Sequence, residues 1–121
     1  MSDFKDLKVW QKAHALAVAV NRAAKTSRGS ADAELRNQMK RAATSIPANI
    51  AEGRGKGSDK EQVRFLRISA GSAYELEAHL TIARDIDFLR PARANQLIDQ
   101  VVEVRKMLFG LIGYLEGDEE P

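Results

Sequence analysis

At 121 residues the chain is long enough for one domain around a single core. It has no cysteine, which excludes disulfides and thiolate metal sites. It has no apolar run of membrane-spanning length, and Met1-Ser2-Asp3-Phe4-Lys5 lacks the basic start and apolar stretch of a signal peptide, so a cytoplasmic protein with no membrane partner is expected. The net charge of +2 conceals an asymmetry: residues 1–67 hold fourteen Lys/Arg against seven Asp/Glu, and residues 68–121 hold five against ten. Such a split suits either a polyanion partner or charge-matched packing within the fold. Few aromatics, three prolines and abundant Ala, Leu, Arg and Glu are the composition of a helical protein.

Asp6 is placed to cap a first helix over about 7–26, whose apolar face is Val9, Ala13, Leu16, Val20 and Ala23, widened by Trp10 and Ala17. Ser27-Arg28-Gly29-Ser30 reads as a turn. A second helix is predicted over 31–52, capped by Ser30, with the stripe Leu35, Met39, Ala42, Ile46, Asn49 and Gly53; Gly53 reads as its C-terminal stop. After the loop Arg54-Gly55-Lys56-Gly57, Ser58-Asp59-Lys60-Glu61 is a capping box that opens a third helix over 59–85. Leu66, Ser69, Ala73, Leu76, Leu80 and Ala83 form one stripe of it, and Phe65, Ile68, Ser72 and Ile82 a second. Pro91 suits the first turn of a fourth helix over 91–116, with Leu97, Val101, Val104, Leu108, Leu111 and Leu115 on one face and Ile98, Val102, Phe109 and Ile112 beside it; an acidic tail, residues 117–121, follows. The expected fold is all-α, a single up-down-up-down antiparallel four-helix bundle over 1–121. The surplus apolar positions Phe65, Ile68, Phe109 and Ile112 point to self-association.

The costliest stretch is Thr44 to Gly53. Pro47 inside a helix removes a backbone hydrogen bond and crowds the Ala43 carbonyl, at ~3 kcal/mol. Asn49 stands where the stripe asks for an apolar residue, and an unpaired buried amide costs on the order of 1–3 kcal/mol. The expected remedy is a polar network of Ser45, Asn49 and Glu52 with Ser72 and Glu75, reached because Ala70-Gly71-Ser72-Ala73 lets the second and third helices come close. Its expected role is structural: it holds the register of the two helices.

No catalytic constellation emerges, and no enzyme, cofactor or metal site is predicted. Gly55-Lys56-Gly57-Ser58 lacks phosphate-loop spacing and no strand precedes it. The Glu-x-x-His step of di-metal bundles is missing, since Gln11 and Leu76 precede His14 and His79 at that spacing; Glu75 and His79, four apart, make at most a thin pair. What remains is a basic surface. Lys60, Arg64 and Arg67 share one helical face beside Arg54 and Lys56, with Arg41 nearby on the second helix. It can meet phosphates, or it can be a solvated face balanced by Asp59 and Glu61.

The stretches Phe4-x-x-Leu7-x-Val9-Trp10-Gln11-x-Ala13, Gln38-x-x-Arg41-Ala42-Ala43-x-Ser45-Ile46-x-x-Asn49-Ile50-Ala51-Glu52-Gly53 and Phe65-Leu66-x-Ile68-x-x-Gly71-Ser72-Ala73-x-Glu75-Leu76-Glu77 resemble the four-helix bundle protein family, also called the 23S rRNA intervening-sequence or S23 family. The chain departs from it at Thr26-Ser27-Arg28-Gly29, where many relatives carry an aromatic-proline pair. The resemblance implies a bacterial, cytoplasmic, ring-shaped homopentamer without an established biochemical role. It is also similar to the accessory variability determinant of diversity-generating retroelements, which binds a reverse transcriptase and nucleic acid through a basic surface. Carried over, that surface is Arg41, Arg54, Lys56, Lys60, Arg64 and Arg67. Two functions follow: an oligomer that binds RNA or DNA, structured RNA foremost, or a scaffold for a protein partner.

Overall fold

The computed structural model describes residues 3–26 and 33–117. A single 3-10 turn, Phe4–Asp6, precedes four helices: α1 (Lys8–Thr26), α2 (Ala33–Arg54), α3 (Asp59–Asp85) and α4 (Pro91–Leu115). The turn predicted at residues 27–30, the Ser30 cap and the end of the acidic tail lie outside the described residues. Among the described residues there is no strand, and no helix is long and apolar enough to cross a membrane.

The helix ends follow from local chemistry, with two corrections. Asp6 does not cap α1. It lies within the 3-10 turn, which Asp3 caps by accepting the Lys5 N–H at 3.3 Å, and α1 starts only at Lys8. Gly53 does not stop α2 either. The helix continues to Arg54, and the left-handed residue is Gly57, at φ 86°. Ser58 caps α3 as expected, accepting the Glu61 N–H at 3.2 Å. Pro91 opens α4 at its first turn, where its missing N–H has no intrahelical role.

Each helix packs against two others: α1 against α2 and α4, and α3 against α2 and α4. The core between them takes Val9, Ala13, Leu16 and Val20 from α1, the full Leu66–Ala83 stripe from α3, and Leu97, Val101, Val104 and Leu108 from α4. Phe88 and Leu89 of the α3–α4 connection are also buried in it; the N–H groups of both donate to the Ala83 carbonyl, at 2.9 and 3.1 Å. On α2 the buried residues are Met39, Ala42, Ala43, Ile46, Pro47, Ile50 and Gly53; of the expected stripe, Leu35 and Asn49 are only half-buried. A strict seven-residue stripe drifts off the core face of a straight helix of 3.6 residues per turn.

Residues that meet across the helix pairs set their direction. Ser45 meets Ser72 and Ile46 meets Ser69, while Gly53 meets Phe65, so α2 and α3 run antiparallel. Arg84 meets Asn95, Glu77 meets Arg105 and Arg67 meets Glu116, so α3 and α4 do as well.

Candidate nucleic-acid interface

The α2–α3 connection and the first turns of α3 form a basic ledge anchored on one ring. Phe65 is buried, and two cations lie over it: the Arg64 guanidinium at 4.6 Å from the ring centre and Lys56 Nζ at 5.4 Å. The contact orients both side chains without neutralising them. Three of the ledge cations also have carboxylate neighbours: Lys56 with Glu52 at 3.9 Å, Arg64 with Glu61 at 3.1 Å and Arg67 with Glu116 at 3.0 Å. These pairs are solvent-exposed, so each contributes little to stability and is readily exchanged for another anion. Lys60 is exposed and has no ion pair among the described residues; it lines a shallow cleft with Asp59, Val63, Leu115 and Glu116. Arg54 is half-buried at the end of α2. Arg41 is exposed on α2, three turns before the ledge.

The polar network between α2 and α3 is smaller than the sequence suggests, and its centre is different. Ser45 Oγ and Ser72 Oγ are 2.8 Å apart and join the helices. Asn49 Nδ2 donates to the Ser45 carbonyl at 2.9 Å and to Ser45 Oγ at 3.0 Å, so the asparagine serves its own helix and reinforces the serine that crosses. Glu52 turns to Lys56, and Glu75 to His79, whose Nε2 is 3.5 Å from its carboxylate. The deeper crossing contact comes from Ser69. Its hydroxyl, fully buried, donates to the Ile46 carbonyl at 2.9 Å, on the peptide that leads into Pro47.

Close approach rests on Gly53, not Gly71. A Cβ added at Gly53 would sit 2.7 Å from Phe65 Cβ and 3.2 Å from the Gln62 carbonyl oxygen, whereas one at Gly71 would meet nothing within 4 Å. Gly71 is on the outer face of α3, a third of a turn away from Ser72. Gly53 lets the α2 backbone approach the Cβ of Phe65, whose ring carries the ledge cations, so the packing stretch and the basic surface meet at one residue.

The sequence profile of the 23S rRNA-intervening sequence protein family matches residues 5–110, most of the chain. The chain belongs to this family. Among solved structures it is similar to a protein of unknown function from the S23 ribosomal protein family of Bacteroides thetaiotaomicron VPI-5482, at a TM-score of 0.77 and 23% identity, covering 86% of this chain and 97% of that one. At that identity the likeness establishes the fold. No curated protein matches the chain.

Within this family member, sequence reasoning missed the Phe65 anchor and the Ser69 bond. Phe65 stands between the charged residues Arg64 and Arg67, and Ser69 stands alone in an apolar stripe; each is a local irregularity that the sequence displays and only the packing explains. It also missed α1, which carries Lys8, Lys12, Arg22 and Lys25 and no carboxylate at all.

Proposed function

We propose that this protein is a non-enzymatic, cytoplasmic, up-down-up-down four-helix bundle that assembles as a ring-shaped homopentamer and binds structured RNA through the ledge. The observation that carries the reading is the pair of cations, Lys56 and Arg64, held over Phe65 beside Lys60, which has no ion pair among the described residues. Cations oriented before binding lose less freedom when a phosphate arrives. Arg41, Arg54 and Arg67 extend the surface, and the family's description as an rRNA intervening-sequence protein fits an RNA partner. The assembly is supported by apolar side chains on the outer faces of α3 and α4: Ile68 at 42% exposure, Ile82 at 49% and Phe109 at 40%, with Tyr74 6.4 Å from Phe109.

The scaffold reading, in which the protein is an accessory subunit for a protein such as a reverse transcriptase, is favoured by the carboxylates beside Lys56, Arg64 and Arg67, which reduce the field of the ledge.

Anisotropy of a labelled RNA hairpin titrated with the wild type and with Lys60→Glu/Arg64→Glu/Arg67→Glu separates the two. The RNA reading expects affinity to fall steeply with salt, and the triple variant to flatten that dependence by about three phosphate contacts. Affinity that ignores both salt and the three charges overturns it. Light scattering on the same samples is expected to give five chains of 13.4 kDa each.

A further inference from the structure

On the side of α2 away from α3, an open groove of about 400 Å³ separates α2 from α1. Its floor is apolar, formed by Ala17, Val18 and Pro47, and its rim carries His14, Arg22 and Lys25. It stays open because its polar side chains bond within their own helices. Asn21 Nδ2 donates to the Ala17 carbonyl at 2.8 Å, and Thr44 Oγ1 to the carbonyls of Lys40 and Arg41 at 3.0 and 3.2 Å. Ala17 and Pro47 are both buried and short, so neither fills the space between the helices.

The charge of this groove differs from that of the ledge. Among the described residues Arg22, Lys25 and the neighbouring Lys40 have no ion pair, and α1 supplies no carboxylate. Near one end Trp10 stacks on His14, with ring centres 4.9 Å apart and planes 16° from parallel, and His14 is exposed. A seat with uncompensated cations, an apolar floor and a flat π surface suits a ligand that offers both phosphates and unpaired bases. A duplex offers the phosphates alone and would leave the floor uncovered. The volume falls in the ~300–1,000 Å³ range of sites for small molecules, the scale of a nucleotide rather than a helix of nucleic acid.

We propose that the α1–α2 groove binds single-stranded nucleic acid, seating an unstacked base on Ala17, Val18 and Pro47 and its flanking phosphates on Arg22 and Lys25. It shares a partner class with the ledge but lies on a different face, so either site can fail alone. The groove lies between α1 and α2, whereas the exposed apolar side chains Ile68, Ile82 and Phe109 lie on α3 and α4.

Trp10 is the only tryptophan in the chain, so its emission reports on the groove. Titration of the wild type at low salt with an eight-nucleotide oligouridylate is expected to change that emission saturably. Arg22→Glu/Lys25→Glu is expected to weaken binding at least tenfold, as is Val18→Asp in the floor. Lys60→Glu/Arg64→Glu is expected to lower hairpin affinity while the saturable change in Trp10 emission persists. Polyglutamate of matched length is expected to compete at least tenfold less well. Arg22 and Lys25 are exposed, so their variant retains the fold, checked by its melting curve, and Arg22→Gln/Lys25→Gln repeats the test without added negative charge. An unchanged emission in the wild type, full affinity in both groove variants, or equal competition by polyglutamate overturns the proposal. Loss of hairpin binding in the ledge variant alongside any of these leaves the ledge reading intact.

Discussion

The two sides of α2 are built from similar residues and do opposite things. Toward α3, Gly53, Ser45 and the Ile46 carbonyl meet Phe65, Ser72 and Ser69, and the seam closes. Toward α1, Pro47 and Thr44 face Ala17 and Asn21, and the side opens into a groove. Small residues therefore do not bring helices together by themselves. On the α3 side each gap has an occupant from the partner: the Cβ of Phe65 for the glycine, a hydroxyl for the serine and another for the carbonyl. On the α1 side the hydroxyl and the amide are bonded to their own helices, and short side chains oppose short side chains. Close packing depends on complementary volume and complementary hydrogen bonding at one level of both helices.

The largest effect is expected at Gly53. Gly53→Ala gains about 1 kcal/mol in helix propensity but forces a Cβ to 2.7 Å from Phe65 Cβ and 3.2 Å from a backbone oxygen, and overpacking costs typically 1–3 kcal/mol. The clash is expected to win, lowering the melting midpoint by several degrees, and it should disturb ledge binding through Phe65. Gly55→Ala, whose added Cβ meets nothing nearer than 3.6 Å, is the control and should melt no lower than the wild type. A Gly53→Ala variant that melts with the control would mean that the seam has slack.

Ser69→Ala comes next. It removes the buried bond to the Ile46 carbonyl, and urea unfolding should show a loss of about 1 kcal/mol. Asn49→Leu is expected to cost less, about 0.5 kcal/mol, because both bonds of its amide lie within α2 and Ser45 keeps Ser72 without it. The sequence alone would rank Asn49 above Ser69, so the order of these two variants tests which residue closes the seam. Thr44→Val on the open side should fall within about ±0.5 kcal/mol. A larger loss there would show that the groove side also contributes to holding α2.

Much of the candidate interface was legible as composition and spacing. Lys60, Arg64 and Arg67 do share a face of α3, because a helix places residues three and four apart together wherever it sits. That Arg67 would meet Glu116, forty-nine residues away, was not legible, nor that Lys56 and Arg64 would flank one ring. The acid-free α1 was in plain view as a run of residues, but it lines a groove only where α2 turns Pro47 toward it.

Sequence by itself determined four helices, their ends to within about two residues, and most of the core of α1, α3 and α4, although Phe65 and Ile112, read as surplus apolar surface, are buried, and Leu111 and Leu115, read as core, are half-buried. Periodicity, the Ser58 cap and Pro91 are local interactions that any fold containing those helices must honour. Tertiary structure decided the rotation of α2. A turn of that helix by a fraction of a residue moves Asn49 to the edge of the core and Ile50 into it, and leaves one side sealed and the other open. The stripe written in the sequence allows several neighbouring rotations, and only the side chains of α1 and α3 opposite it select one.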